Sequence, residues 1–109
     1  MATFLFAYRM PENYTPGRPA AIAAWSAWFE SMGAHVAERG NPVYDSGTLG
    51  NCGAGTRPAG YSLVTGDDLE AAVALARGCP VLAEGGGVEV GEITVVNPSD
   101  RPKARETAE

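Results

Sequence analysis

Imidazole and thiol are scarce in this chain: 109 residues hold one histidine and two cysteines. Cys52 and Cys79 stand far apart in a sequence without an export signal, so neither a disulfide framework nor a zinc site is indicated, and both thiols are expected to be free. Positive charge is also short. Eight basic residues face thirteen acidic ones for a net charge of −5, and the basic residues are scattered. That pattern lacks the footprint of a nucleic-acid or anionic-membrane binder. Long hydrophobic runs are missing too. The opening MATFLFAYRMPENY holds an apolar run of only about seven residues with no basic residue before it, too short for a signal segment or a span. It reads as a strand, and the protein is expected to be cytoplasmic.

What remains is material for one domain, arranged as two similar halves. Thr3 to Arg9 is rich in Phe, Leu and Tyr with no breaker, the composition of a strand. Pro11, Pro16, Gly17 and Pro19 then mark a turn into a helix, with Pro19 suited to its first turn. From Ala20 to Met32, the residues Ile22, Trp25, Phe29 and Met32 recur at spacings of three and four, which predicts one apolar stripe ended by Gly33. Trp25 is thereby placed in the core, while Trp28, beside the stripe, is expected to reach toward a partner subunit. Ala34 to Arg39 reads as a short second strand.

Gly40 to Gly60 carries six glycines and two prolines and reads as a long loop, the kind that serves as a lid, a binding loop or a disordered segment. Tyr61 to Thr65 makes a third strand. Asp67, with Glu70 three residues on, resembles a capping box for a second helix whose apolar face is Leu69, Ala72, Val73 and Ala76. That helix ends at Gly78, and Pro80 prevents its continuation. After the Gly85-Gly86-Gly87 turn, Val88, Val90, Ile93, Val95 and Val96 form a fourth strand. The domain is expected over residues 1–96, and residues 97–109, charged and with little to bury, over a disordered polar tail.

The order β-α-β-β-α-β predicts an α+β, ferredoxin-like sandwich with both helices on one face of a four-stranded antiparallel sheet. Phe4, Phe6, Tyr8, Tyr61, Leu63, Val88 and Val90 supply apolar side chains to both sheet faces, so a symmetric homodimer joined through the open faces is expected.

Several segments carry a resemblance. Gly40-Asn41-Pro42, Gly60-Tyr61-Ser62, Asp68-Leu69-Glu70-Ala71-Ala72, and above all Gly78-Cys79-Pro80 followed by Gly86-Gly87-Val88-Glu89-Val90 are similar to the YCII-related, DGPF-type family of small bacterial proteins. The resemblance runs from residue 2 to about 96 and implies a dimeric α/β barrel with a cleft of enzymatic or ligand-binding function. Two departures stand out. The Asp-Gly-Pro-Phe element is absent, its region reading Gly50-Asn51-Cys52-Gly53-Ala54-Gly55. A histidine that another branch carries after Arg-Pro-Ala, thought to pair with an aspartate, is here Ala21, following Arg18-Pro19-Ala20.

Among candidate functional residues, His35 is the natural acid/base group because an unperturbed imidazole titrates near neutrality. Strand alternation would put Ala37 and Arg39 on its side, and Asp45 at the start of the long loop is placed to orient it. Tyr8 and Tyr61, with apolar bodies and polar tips, suit a pocket lining. Arg39 would hold an anion there, and Glu89, read on a central or near-central strand, would project into the cleft. Cys79 follows a helix C-terminus, where the dipole disfavours a thiolate, so it reads as packing. Cys52 is the more exposed thiol and has no base beside it. The glycine runs are turns rather than phosphate cradles, since neither links a strand to a helix, and Glu84 and Glu89 would repel a phosphate. No cofactor or metal is expected. The reading favoured by so few titratable residues is a dimeric module that binds a small molecule without catalysis. The alternative is a metal-independent acid/base enzyme acting on a small aromatic or carbonyl-bearing metabolite.

Overall fold

The computed structural model describes residues 1–94 and Val96. Its elements are β1 (Ala2–Pro11), α1 (Pro19–Met32), a 3-10 turn (Gly33–His35), β2 (Val36–Glu38), β3 (Thr56–Gly66), α2 (Leu69–Ala76), a second 3-10 turn (Pro80–Glu84) and β4 (Gly87–Glu92). The strands form one antiparallel sheet in the order β2-β3-β1-β4, with the two long strands central and the two short ones at the edges. This α+β arrangement is compatible with a ferredoxin-like fold. No helix among the described residues is long and apolar enough to cross a membrane.

Strand alternation places the core. Phe4, Phe6, Tyr8 and Met10 of β1 are buried on one face beside Val64 of β3, and Val88 and Val90 of β4 pack against them. Trp28 and Met32 of α1, Ala72 and Ala76 of α2, and Cys79 and Val81 beyond it cover that face. Each large side chain fully removed from water in this way contributes about 1.5–3 kcal/mol before entropy is counted. The opposite face carries Thr3, Leu5, Ala7 and Arg9 of β1 against Thr65, Leu63 and Tyr61 of β3 and Glu89 and Gly91 of β4. It is less apolar than the composition of the strands suggests, because most of their large hydrophobic residues point toward the helices.

The phase of α1 differs from the predicted stripe. Ile22 is 56% exposed, whereas Trp28 is only 6% exposed and is the helix's main anchor in the core. Its indole N–H donates to the Leu75 carbonyl at 3.2 Å. Gly78 packs directly on the ring, where an added Cβ would come within 3.2 Å of it. Trp28 therefore points into the core of its own chain rather than outward, and Trp25 sits at the border, half-buried.

Other boundaries also move. β3 begins at Thr56, because β1 is long enough to pair past a bulge between Tyr8 and Arg9 that accommodates Pro58. The cap of α2 is Asp68, whose Oδ1 accepts the Ala71 N–H at 2.8 Å, one residue later than expected. β4 is an edge strand ending at Glu92, and Ile93 lies just beyond it, its N–H still bonded to the Thr3 carbonyl. Val95 and the expected tail over 97–109 lie outside the described residues.

Candidate functional site

At the end of the helix-covered face where β1 and β3 run on past β2, α1 and the segment after β2 enclose a cleft of about 320 Å³. Two glycines bring its wall into place. Gly40 has φ +77°, and a Cβ there would overlap the Tyr61 carbonyl oxygen. At Gly60, a Cβ would come within 2.9 Å of the Asn41 carbonyl oxygen. Only glycine permits both the left-handed turn and the close crossing. The crossing chains are stitched by a Pro42–Gly60 bridge and by the Val43 N–H on the Ala59 carbonyl at 3.0 Å. Gly40-Asn41-Pro42 and Gly60-Tyr61-Ser62 thus meet in space.

The floor is a buried relay of hydroxyls. Tyr8 donates to Ser62 Oγ at 2.8 Å, and Ser62 donates in turn to the Arg39 carbonyl at 2.6 Å. Ser62 is fully buried, and this chain satisfies it while pinning the backbone of Arg39 at the mouth of the loop. Burial pushes the Tyr8 phenol well above its ordinary value, against the lowering effect of the Ser62 bond, so it is protonated at neutral pH.

The walls are aromatic. Tyr8 meets Trp25 edge-on with ring centroids 4.7 Å apart, and Trp25 lies 6.0 Å from Phe29. Arg39 stacks its guanidinium 5.0 Å from the Phe29 ring centre. Arg57, half-buried and also lining the cleft, donates through one nitrogen to the carbonyls of Val43, Tyr44 and Pro58 at 3.2–3.3 Å and so holds the start of the loop. The charged residues that line the cleft are these two arginines, with no carboxylate among the described lining.

Of the six candidate residues, Tyr8 and Arg39 line the cleft, and Tyr61 borders it at the glycine crossing while its pairing with Ala7 puts its ring on the open side of the sheet. Tyr61 places its hydroxyl between the Asn41 amide at 3.2 Å and Glu38 Oε2 at 3.4 Å. The other three lie elsewhere. His35 belongs to the exposed 3-10 turn rather than to a strand. Its Nδ1–H donates to the Thr65 carbonyl at 2.9 Å, and the Thr65 hydroxyl donates back to the His35 carbonyl. It shares no surface with Arg39, which the end of β2 at Glu38 turns toward α1. Asp45 is exposed in the loop and outside the lining. Glu89 lies on an edge strand, paired with Ala7 on the open side of the sheet, away from the cleft.

Sequence pattern does not single out Arg57, because it sits in a Thr-Arg-Pro-Ala-Gly stretch that reads as loop. Only the extension of β3 aims it at the cleft. The remaining sequence candidates have structural partners. Glu84 pairs with Arg18 at 2.7 Å. The exposed Cys52 thiol donates to the Leu49 carbonyl, and the Cys52 carbonyl accepts from Arg9. Cys79 is buried, which pushes its thiol up to about 12. No group of three or more His, Cys, Asp or Glu among the described residues is placed to hold a metal ion.

Compared with protein-family models, with curated proteins and with solved structures, the chain matches none of them.

Proposed function

We propose that this protein is a YCII-like binding subunit that takes up a small molecule in the cleft between α1 and the loop after β2, and that it works as a homodimer in a dimeric α/β barrel. One observation carries the binding reading. The cleft is of small-molecule size, within the range of roughly 300–1,000 Å³ usual for such sites, and joins aromatic walls to a few fixed polar groups. Its proton-transfer groups are few, since the phenol of Tyr8 is committed to Ser62 and His35 lies outside. That balance supports binding over acid/base chemistry. A thermal-shift screen of metabolites tests it, because a ligand specific to the folded state raises the melting temperature by mass action. A screen in which no compound raises it at millimolar concentration overturns the reading.

The dimer is supported by the open side of the sheet. Leu5, 38% exposed, is paired directly with Leu63, and Ala7 stands beside Tyr61, an apolar stripe that a second copy would cover. Sedimentation at micromolar concentration is expected to give twice the monomer mass, and Leu5→Glu to give the monomer. A stable wild-type monomer overturns the assembly while leaving the cleft reading in place.

A further inference from the structure

We infer that the ligand of this cleft is an aromatic carboxylate, its ring held against Trp25 and Phe29 and its anionic group between the guanidinium groups of Arg39 and Arg57. The inference rests on the binding reading above and names the chemical class of what binds.

The charge distribution points to it. The protein as a whole is acidic at −5, yet the charge lining the cleft is cationic. The ion pair among the described residues, Arg18 with Glu84, lies outside the cleft. Arg39 has a ring beneath it but no carboxylate or hydrogen-bond acceptor for its guanidinium among the described residues. Arg57 uses one terminal nitrogen on three carbonyls, and its Nε and other terminal nitrogen have no acceptor among the described residues. Arg39 is exposed and Arg57 half-buried, and a guanidinium with free N–H groups beside apolar walls gains from an anion that accepts them. Its planar fork matches a carboxylate.

The two arginines enter from opposite ends of the loop, Arg39 just after β2 and Arg57 near the start of β3, so both are fixed by backbone rather than by each other. The relay from Tyr8 through Ser62 holds the backbone of the first, and the carbonyls of Val43, Tyr44 and Pro58 hold the guanidinium of the second. The rest of the lining selects the body of the ligand. Trp25, Phe29 and Tyr44 offer ring faces and edges, and Met10 and Ile22 offer aliphatic surface. A cationic ligand is repelled, and a polyphosphate carries more charge than two guanidinium groups balance. One flat apolar ring system with one negative group satisfies both halves of the site.

Calorimetric titration with naphthoate, naphthamide and naphthyl phosphate tests this, since the three share a ring system and differ in the group presented to the arginines. Naphthoate is expected to bind at least about tenfold more tightly than the neutral amide, the scale of a charge-assisted hydrogen bond. Arg39→Gln is expected to remove most of that preference with the melting temperature little changed, and Arg57→Gln to reduce it. The Trp25 indole N–H resonance is expected to shift on addition of naphthoate, which locates the site. Equal affinities for acid and amide would overturn the inference and leave a binding cleft without charge selection. So would a preference that survives both arginine substitutions. Tighter binding of the phosphate by tenfold or more would replace carboxylate by phosphomonoester. Failure of all three probes to bind the folded protein at millimolar concentration would overturn the inference, whereas the binding reading falls only if the metabolite screen also finds no stabilising compound.

Discussion

Trp28 and Trp25 occupy one helix with ring centroids 5.7 Å apart, yet they serve two differently built ends of the same sheet face. Trp28 is almost wholly buried. The indole N–H is bonded to Leu75, Gly78 gives up its side chain to make room, and Phe6 stacks at 6.1 Å. Around Trp25 the rings are only half covered, the backbone is held by glycine crossings, and two guanidinium groups lack counter-ions among the described residues. A small domain gains stability by satisfying and burying one end of its core, which frees the other end to carry groups without partners inside the protein. The contrast separates residues that hold the fold from residues that face the cleft, and four tests probe it.

The largest effect is expected at the closed end. Trp28→Ala removes a buried aromatic ring and leaves the Leu75 carbonyl without its donor, at a cost of about 3–5 kcal/mol. Trp25→Ala removes a border residue and should cost about 1–2 kcal/mol, the burial of a partly exposed ring being worth roughly half that of an enclosed one. Urea denaturation of the two variants measures the difference. Equal losses would show that the two ends are one continuous core.

Second comes the joint between the ends. Ser62→Ala leaves the Tyr8 hydroxyl and the Arg39 carbonyl without their partner inside the protein. An orphaned buried polar group costs about 1–3 kcal/mol. The same variant should loosen Arg39 and weaken ligand binding, which Ser62→Thr would preserve if the larger side chain is accommodated. Destabilisation without any change in the cleft would place the relay wholly on the structural side.

How much of this division was legible beforehand follows from where its determinants lie. The order of elements, the buried Phe4-Phe6-Tyr8 alternation and the helix ends at Gly33 and Gly78 are local, and local pattern finds them. The phase of α1 is not local. Its many alanines suit any face, so the choice between Trp25 and Trp28 is made by Gly78, far downstream. The start of β3 was hidden by Pro58 and Gly60, which read as loop until β1 supplies a bulged partner. Tyr8 and Arg39 do line this cleft, a placement that an amphipathic ring on β1 and a cation just after β2 make readable. His35, Asp45 and Glu89 were ranked on chemistry alone, and nothing in the spacing showed that the sheet would carry them away from the cleft. Arg57 needed the bulge.

Alkaline pH gives a gentler test of the closed end. An unfolded thiol ionises near the ordinary value of 9.0, whereas burial keeps the Cys79 proton on in the folded state up to about 12. Between those limits the unfolded chain binds fewer protons, so stability falls as pH rises. The contribution is fully present below pH 9.0 and is lost on the way to about 12. Its slope is bounded at about 1.4 kcal/mol per pH unit. Tyr8 acts in the same direction from its ordinary 10.0 upward. Denaturant midpoints taken across this range should decline, and Cys79→Ala should flatten the decline. An unaltered slope in Cys79→Ala would show that the thiol is not shielded.

The smallest stability effect is expected at the open end. Arg39→Gln forfeits the stacking on Phe29, worth about 0.5–1 kcal/mol at an exposed site, and keeps the backbone carbonyl that Ser62 uses. It also removes a positive charge that no carboxylate balances among the described residues, so the net change should stay under about 1 kcal/mol. If the two ends are built for different purposes, this near-neutral change must still alter what the cleft binds, whereas Trp28→Ala destabilises the protein far more. Measuring denaturant midpoint and ligand affinity on the same variants sets the two quantities against each other. A loss of several kcal/mol in Arg39→Gln would mean that the cleft cations hold the fold together, and the distinction between the closed and the open end would fall.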